Sequence, residues 1–427
     1  MAHSPSLTRG PEDGSVRPQA GEVAPGAWLR LAALGGAAAT ALVVVSGALH
    51  LGLPHRLLAI VALPLLGAVV VAAATAHSRL LPFSVAALLL FVAESAFGGV
   101  VAFAGRPEWS VVLHLLFAGL ALAAALVSAA VSFQGRHVPA GAWRDYAALT
   151  KPRIMVLLLV TAAAGMFVGA GGAPDLADLA IVLAGGALAC GGASALNHYL
   201  DRDIDALMGE RTADRPIVAG RLIPPRAVEF GLVLWAFSFV LLASLVNALT
   251  ATLALVGGLF YVIVYTRWLK RWTVQNIVIG GAAGAVPPLV GWAAATGNLS
   301  LPAAFLFLII FFWTPPHFWS LALLIKREYA AARIPMLPVV SGDRETSRRI
   351  LVYSLVLATT TLLPFLWHSV GDLYLGAALV LDAVFIGLAV QLLRETNPAR
   401  AGRLFHFSLL YLAVLFSAMA VDTVVSI

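Results

Sequence analysis

Long apolar runs separated by short polar segments dominate the chain from about residue 28 onward. Each run holds about 20 residues, the length that a helix needs to cross ~30 Å of hydrocarbon. A transmembrane β-barrel would instead require short strands of alternating polarity, and the runs do not alternate. The pattern predicts an all-α, polytopic membrane protein with about thirteen transmembrane helices. The predicted spans are residues 28–50, 57–76, 81–104, 110–133, 154–171, 178–200, 228–246, 249–266, 274–295, 301–325, 350–368, 373–392 and 404–426.

A polar segment divides these spans into a group of four and a group of nine. It covers residues 134–153 and reads QGRHVPAGAWRDYAALTKPR. We therefore expect a four-helix membrane domain at 28–133 and a nine-helix domain at 134–427. Residues 1–27 are rich in Pro, Gly, Ser and Glu and contain no apolar run, so we expect a disordered cytosolic tail there.

Composition supports a membrane protein and limits its chemistry. The chain is 61% hydrophobic and only 11% charged, which lies outside the range of soluble domains. Cys190 is the only cysteine, so an intrachain disulfide is excluded and a cysteine-based metal site is disfavoured. It lies among small residues in ALACGGASALN, where we expect tight helix packing around an inert thiol.

The distribution of basic residues predicts the orientation. Of 27 Lys and Arg residues, only Arg56 and Arg106 fall in segments that alternate to the outer face. Cytoplasmic loops carry the excess of basic residues in membrane proteins. We therefore expect a multi-pass protein of the cell (inner) membrane, with the N-terminus and the long polar loops in the cytoplasm and the C-terminus outside. The net charge of +6 then faces anionic lipid or an anionic substrate, and it gives no indication of nucleic acid binding.

Carboxylates are concentrated at one predicted inner helix end, LNHYLDRDIDALMGERTADRP (196–216). Asn197, Asp201 and Asp205 are spaced four residues apart, so they share one face of a helix. A few oxygen ligands completed by water and phosphate suit Mg²⁺. Arg211 and Arg215 follow, and arginine binds phosphate oxygens well. The pattern favours a metal-bridged diphosphate site, and a solvated loop with helix-capping carboxylates is the alternative.

Two further inner helix ends carry basic clusters. Each cluster alone is typical of positive-inside anchoring, but together with the acidic end they favour a site for an anionic substrate. The clusters are Arg267, Lys270, Arg271 and Asn276 in YTRWLKRWTVQN, and Lys326, Arg327, Glu328 and Arg333 in the segment 311–346.

Residues 145–346 resemble the UbiA family of membrane prenyltransferases, and within it the heme O synthase branch. The resemblance rests on DYAALTKPRIMVLLLVTAAAGM, NHYLDRDIDALMGERTADRPI, YTRWLKRWTVQNIVIGGAAGAVPPLVGWAAATG and FFWTPPHFWSLALLIKREYAAARIPMLPVV. The acidic pattern is typical of the whole family, whereas TPPHFW and IPMLPVV point to the heme branch. The resemblance implies a UbiA-type bundle of nine helices. It also implies Mg²⁺-dependent transfer of a farnesyl group from farnesyl diphosphate to a vinyl group of heme B.

The resemblance also implies roles for particular residues. Asn197, Asp201 and Asp205 would hold Mg²⁺, and Glu328 would contribute to a second Mg²⁺ site. The residues expected to act in catalysis are these four and Lys270, and those expected to bind substrates are Lys151, Arg153, Arg211, Arg215, Arg271, Asn276, Trp313 and His317. The chain departs from the branch at Glu328, where Asp is more common, and at Arg333, where Gly is usual.

His317 follows Pro315 and Pro316 and has two interpretations: contact with heme, or hydrogen bonds to carbonyls freed by the prolines.

The predicted function of the whole protein also has alternatives. A prenyltransferase for an aromatic quinone precursor would use the same diphosphate site. A heme or lipid transporter would place its polar residues near the middle of the membrane rather than at its inner rim.

The first four spans resemble half of a heme A synthase, on the residues HRLLA and GGVVAFAGRPEWSVVLHLLFAGLALA. His55 and His114 fall near the outer face on different helices, and two histidines at one depth are able to ligate a heme. The resemblance implies a bound heme in this block, and cooperation with heme A synthase or cytochrome oxidase assembly factors. A degenerate accessory domain is the alternative. Glu94 is the only acidic residue within these predicted spans, and the sequence assigns it no role.

Overall fold

Helices account for the regular secondary structure throughout the part of the chain that the structure describes. Thirteen of these helices are long and apolar enough to cross a membrane, so the prediction of an all-α, multi-pass membrane protein is confirmed. The computed structural model describes residues 26–48, 51–76, 78, 80–103, 108–133 and 142–425. Most of the predicted tail (1–27), part of the polar joint (134–141) and Arg106 lie outside the described residues.

The N-terminal block contains four helices, each packed against the next. Helix α2 begins at Gly52 rather than at residue 57, because Pro54 is compatible with a first helical turn. His55 therefore lies within that turn. Small buried side chains such as Ala37, Ala87 and Ala125 let the helices approach closely. The helices are α1 (Ala27–Ala48), α2 (Gly52–Thr75), α3 (Leu81–Phe103) and α4 (Glu108–Val131).

The second block begins after the polar joint and contains nine spans with shorter helices between them. Its largest apolar core lies around the helix that spans residues 301–324. The helices are α5 (Trp143–Leu149), α6 (Pro152–Ala170), α7 (Leu176–Leu200), α8 (Arg202–Leu207), α9 (Glu210–Ala213), α10 (Pro224–Leu245), α11 (Ala248–Leu259), a π-helix (Phe260–Leu269), α12 (Lys270–Trp272), α13 (Asn276–Gly284), α14 (Val286–Thr296), α15 (Leu301–Leu324), α16 (Lys326–Ala331), α17 (Leu337–Ser341), α18 (Asp343–Thr361), α19 (Leu363–Leu366), α20 (Asp372–Arg394) and α21 (Pro398–Val425).

Two predicted spans differ from simple helices. The span predicted at 249–266 continues to Trp272 through the π-helix, which changes the direction in which its later side chains point. The span predicted at 274–295 divides at Ala285 into α13 and α14. Pro287 and Pro288 follow that point, and proline lacks the backbone N–H that a continuous helix would use.

Helices α6 and α14 pack backbone against backbone. A Cβ atom on Gly165 would lie 2.3 Å from the carbonyl oxygen of Pro288, and one on Gly291 would lie 1.8 Å from that of Ala162. Only glycine permits such an approach. This contact fixes α6, whose N-terminal end carries Lys151.

The two blocks share an apolar contact between α4 and α10. Ala118 and Leu122 on α4 are buried against Ala236 and Val240 on α10. Helix α10 packs along its other side against α7. The N-terminal block therefore rests on the helix that supports the acidic end of α7.

Candidate active site

Asn197, Asp201 and Asp205 remain on one side of the chain across the end of α7. The backbone N–H of Asp201 donates to the carbonyl of Asn197 at 2.8 Å, and that of Asp205 donates to the carbonyl of Asp201 at 2.8 Å. The helical hydrogen bonds thus continue from α7 into α8, which preserves the spacing that the sequence indicates. All three side chains are buried, with exposed fractions of 3%, 1% and 1%.

Three basic side chains from different elements surround this acidic face. Lys270 Nζ lies 2.6 Å from Asp201 Oδ2, and Arg215 Nη1 lies 2.5 Å from Asp205 Oδ2. Lys151 Nζ donates to Asn197 Oδ1 at 2.8 Å. Lys151 precedes α6 with φ of 50°, a left-handed conformation that costs free energy in any residue except glycine. Three cations therefore converge on the acidic face: Lys270 is buried, whereas Lys151, just before α6, and Arg215, in the loop after α9, are half-buried.

The side chain of Asn197 organises the cluster. Its Nδ2 donates to Asp201 Oδ2 at 2.8 Å and to Thr266 Oγ1 at 3.1 Å. Thr266 lies on the π-helix and is fully buried. Asn197 thus links the ammonium of Lys151 and the carboxylate of Asp201 to the π-helix.

Several buried polar atoms of the cluster have no hydrogen-bond donor among the described residues. Oδ1 of Asp201 and Oδ1 of Asp205 are both in this state. A buried carboxylate oxygen without a donor is costly, and a metal ion removes that cost. The carboxylate oxygens of Asp201 and Asp205 are therefore suitable ligands for Mg²⁺. The ring nitrogens of His198 and the amide atoms of Asn276 are also unpartnered, and Asn276 is fully buried.

The acid–base equilibria of the groups outside the membrane spans reflect the same unbalanced charges. Burial, followed by the positive charges of Arg215 and Lys270, lowers the pKa of the Lys151 ammonium to about 7. Burial raises the pKa of Asp205 above its ordinary value, against the opposing charge of Arg215. An added anion beside the lysine and an added cation beside the carboxylate would each favour the charged form.

Three arginines predicted to bind substrate are exposed or already paired. Arg271 binds Asp203 with two hydrogen bonds of 2.6 and 2.7 Å and the carbonyl of Leu200 at 2.7 Å, so its guanidinium is already engaged. Arg153 and Arg211 are exposed. Arg211 still lies within electrostatic reach of Tyr329, as does the acidic cluster.

Glu328, the predicted ligand of a second metal, is half-buried on α16. Its neighbour Tyr329 is buried and interacts electrostatically with Asp201 and Arg215 as well as with Glu328. Burial raises the pKa of Tyr329 to about 12, so its hydroxyl is protonated and able to donate. The structure thus places α16 on the rim of the acidic cluster.

The sequence analysis missed the polar side chains of the π-helix. Thr266 accepts a hydrogen bond from Asn197. Tyr261 and Tyr265 stack with ring centroids 5.6 Å apart, and both interact electrostatically with Asp201. Gly280 makes room for Tyr265, since a Cβ atom there would lie 2.3 Å from the tyrosine ring. The motif quoted from residue 265 onward contained Tyr265, Thr266 and Gly280 but not Tyr261. No periodicity signal distinguishes a π-helix from an α-helix in advance.

Trp313 and His317 form a separate buried group between α15 and α21. Trp313 Nε1 donates to the carbonyl of Ser408 at 2.9 Å, and His317 Nδ1 lies 2.7 Å from Ser408 Oγ. The imidazole is stacked between Trp313 and Phe405, at centroid distances of 4.4 and 4.9 Å. Its partner is therefore a hydroxyl on α21 rather than a carbonyl freed by the two prolines.

The N-terminal block contains its own polar cluster. One potential ligand atom each from His55, Glu94 and His114 lies within 4.8 Å of the other two. The three residues come from α2, α3 and α4. The two histidines that the sequence placed at one depth therefore meet, and Glu94 joins them.

Comparison with known proteins gives similarity that includes the second block. Residues 158–414 match the model of the UbiA prenyltransferase family. A protoheme IX farnesyltransferase of Symbiobacterium thermophilum is 54% identical over 281 residues, which cover 65% of this chain and 94% of that protein. A protoheme IX farnesyltransferase of Thermus thermophilus is 47% identical over 334 residues, covering 75% of this chain but only 55% of that protein, so the chain spans about half of its length.

Among solved structures, the chain is similar to a UbiA homologue from Archaeoglobus fulgidus that has GPP and Mg²⁺ bound. The TM-score is 0.50 at 18% identity, and the similarity covers 64% of this chain and 99% of that one. At this identity the likeness shows the fold alone.

Proposed function

The chain belongs to the UbiA prenyltransferase family, and we propose that it transfers the farnesyl group of farnesyl diphosphate to a vinyl group of heme B, giving heme O. The relatives at about 50% identity are named protoheme IX farnesyltransferase. One observation carries the proposal: within the described part of the chain, Oδ1 of Asp201 and Oδ1 of Asp205 lack a hydrogen-bond donor, beside the cations Lys151, Arg215 and Lys270. Such a mixed site matches a diphosphate together with a metal ion.

Asp201 and Asp205 would hold Mg²⁺ through their free oxygens, with Asn197 as a further ligand once Lys151 turns from it to the substrate. When bound, Mg²⁺ supplies positive charge beside the departing diphosphate. Lys270, Arg215 and Lys151 would bind the diphosphate oxygens and stabilise the negative charge that grows as the bond to the farnesyl carbon breaks. Glu328 on the rim is the proposed contributor to a second metal site.

The acceptor would meet the allylic cation in the apolar part of the bundle. The new carbon–carbon bond forms at the vinyl group of heme B, and water adds to the remaining cationic carbon and loses a proton. The product is a hydroxyethylfarnesyl group. The aromatic group of Trp313, His317 and Phe405 offers a stacking surface that excludes water from this step. Asn276, fully buried and unpartnered, is a proposed contact for a substrate polar group.

The orientation proposed for the chain follows its basic residues. The acidic cluster lies at the same membrane face as most of the Lys and Arg residues, which supports a cytoplasmic active site, a cytoplasmic N-terminus and an external C-terminus in the cell (inner) membrane. Farnesyl diphosphate, whose diphosphate group is anionic and hydrophilic, would reach the site from the cytoplasm.

For the N-terminal block, treated as a separate domain at 28–133, the resemblance implies a heme with His55 and His114 as axial ligands, in cooperation with heme A synthase or oxidase assembly factors. The convergence of the two imidazoles supports a shared ligand. The heme stays a prediction. The absorption spectrum of the purified chain tests it, since a six-coordinate heme would disappear in His55→Ala and in His114→Ala.

The proposed reaction is tested with the purified full chain in detergent, heme B, farnesyl diphosphate and Mg²⁺, with products followed by mass. We expect farnesylated heme that disappears when Mg²⁺ is removed. Prenylation of an aromatic quinone precursor with heme unchanged would retain the enzyme class and refute the acceptor. Reaction with neither acceptor, in protein that is shown to be folded, would favour a transporter of heme or lipid.

A further inference from the structure

We propose that His55, Glu94 and His114 bind one divalent transition-metal ion in the N-terminal block. Because successive spans alternate in direction, this cluster lies toward the membrane face opposite the acidic end of α7. The site is therefore separate from the one that performs prenyl transfer, and the proposal does not depend on that reaction.

The three side chains come from three helices; Glu94 is buried and the two histidines are half-buried. One ligand atom of each lies within 4.8 Å of the other two, and Glu94 is only 4% exposed. Glu94 Oε1 lies 3.5 Å from His114 Nδ1, and Ser95 Oγ donates to Oε2 at 3.3 Å. A buried carboxylate within a membrane span is costly unless a cation or donors compensate it. Among the described residues, a long hydrogen bond from Ser95 and the imidazole of His114 are the contacts given to this carboxylate, and neither supplies a fixed positive charge.

Both imidazoles are held in a tautomer that leaves Nε2 free to ligate a metal ion. His55 Nδ1 lies 3.0 Å from the carbonyl oxygen of Val43, and His114 Nδ1 lies 3.0 Å from the carbonyl oxygen of Glu94. A carbonyl only accepts, so each Nδ1 carries the proton and each Nε2 keeps its lone pair. Metal-binding histidines are commonly oriented by this type of hydrogen bond.

The two helix pairs repeat the same local arrangement. In α1 and α2, the carbonyl of residue 43 orients His55, and in α3 and α4 the carbonyl of residue 94 orients His114. Four residues after each carbonyl comes a glycine, Gly47 or Gly98, and a Cβ atom on either would lie 3.0 Å from the Cε1 atom of its histidine. The repeat thus delivers two equivalent imidazoles. The position equivalent to Glu94 is Val43, so one half alone contributes the carboxylate.

This ligand set decides the class of the ion. Two imidazoles and one carboxylate suit Zn²⁺ and ferrous iron, whereas Mg²⁺ and Ca²⁺ prefer oxygen ligands alone. A heme would need the plane between two axial imidazoles for its ring. Here a carboxylate oxygen lies within 4.8 Å of a nitrogen on each histidine. The observations therefore favour a single ion with open coordination positions, and heme becomes the competing outcome.

The test is a Co²⁺ titration of the chelator-washed full chain in detergent, with excess Mg²⁺ present to occupy the acidic end of α7. Visible absorption bands report Co²⁺ ligation, and the zinc content after Zn²⁺ exchange reports stoichiometry. We expect one ion per chain. Glu94→Gln should weaken binding about 100-fold, and Gly98→Ala about tenfold by displacing His114, since changes around a metal ligand cost 10–100-fold.

His406→Ala is the matched control, because it removes an exposed histidine of α21 that is distant from the cluster. All three variants should retain farnesyl transfer, which shows that they are folded. Zn²⁺ should raise the unfolding temperature of the unmodified chain and of His406→Ala, but it should not raise that of Glu94→Gln. Absence of saturable binding, or binding that Glu94→Gln leaves unchanged, would overturn the proposal. A purified chain that carries heme, lost in His55→Ala, would assign the site to heme instead.

Discussion

The acidic motif offers two aspartates, two residues apart, with opposite surroundings. Asp201 is 1% exposed, and no described residue donates to its Oδ1, while Asp203 points outward and pairs with Arg271. The side chain of Asp203 is 62% exposed. We expect Asp201→Asn to abolish most of the farnesyl transfer and Asp203→Asn to have little effect.

The magnitude follows from the charge that each substitution removes. A unit charge acting over ~4 Å at an effective dielectric constant of about 20 contributes about 4 kcal/mol. Loss of that amount from a transition state lowers the rate about 1,000-fold. An exposed ion pair contributes about 0–1 kcal/mol, so Asp203→Asn should change the rate less than about fivefold.

The assay is initial-rate farnesyl transfer to heme B at varied Mg²⁺ concentration, with both variants purified in parallel. For Asp201→Asn we expect a lower kcat and a higher Mg²⁺ requirement together, because the site loses a metal ligand. Equal activity of the two variants would refute the assignment of the buried face as the metal site.

Stability must be separated from catalysis, because Asp201→Asn leaves the ammonium of Lys270 buried without its carboxylate. Breaking a buried ion pair on one side costs about 3–5 kcal/mol. The double variant Asp201→Asn with Lys270→Met removes that unpaired charge, so it should recover much of the stability and none of the activity. Reaction of a thiol probe with Cys190, the only cysteine, reports unfolding during heating.

Three further variants test packing and conformation. Gly291→Ala should lower the free energy of unfolding by about 3 kcal/mol or more, because its Cβ atom meets a backbone carbonyl at 1.8 Å; Gly284→Ala, with nothing within 4 Å, should be neutral or stabilising in the same thiol-probe assay. Arg333→Gly should raise the unfolding free energy by about 0.5–1 kcal/mol, since φ is 55° there; a decrease would show that the arginine side chain makes a stabilising contact. Ser408→Ala removes the hydroxyl that orients His317 and should raise KM for heme B without changing KM for farnesyl diphosphate; equal changes in both would contradict an acceptor-side role.

The membrane spans and the acidic face were predictable because both depend on local periodicity. A span needs only about 20 apolar residues, and the four-residue spacing of Asn197, Asp201 and Asp205 holds as long as the helix continues. The roles of Lys270 and Arg271 were harder to predict. Neighbouring residues on a helix point about 100° apart, so Lys270 contacts the buried face and Arg271 contacts the outward Asp203. The family resemblance implied that both act on the substrate.

Departures from the family pattern also become interpretable through backbone conformation. Arg333 stands where the family usually has glycine, and its φ of 55° lies in the region that glycine adopts at least cost. The substitution therefore affects the turn after α16 rather than the charge of the site. Glu328 keeps a carboxylate on the same rim, with its longer side chain reaching from α16.

Glu94 shows why a tertiary contact is needed to assign a buried ionisable residue. In the sequence it is an isolated acid in an apolar span, and such residues indicate a functional site only when a partner is identified. Its partners lie on the two neighbouring helices, and they are the two histidines that the sequence placed at one depth. Two histidines alone suggested an axial pair for heme. The added carboxylate changes the ligand set to one that binds a single transition-metal ion, so the chemistry of the N-terminal block depends on the residue that the sequence left unassigned.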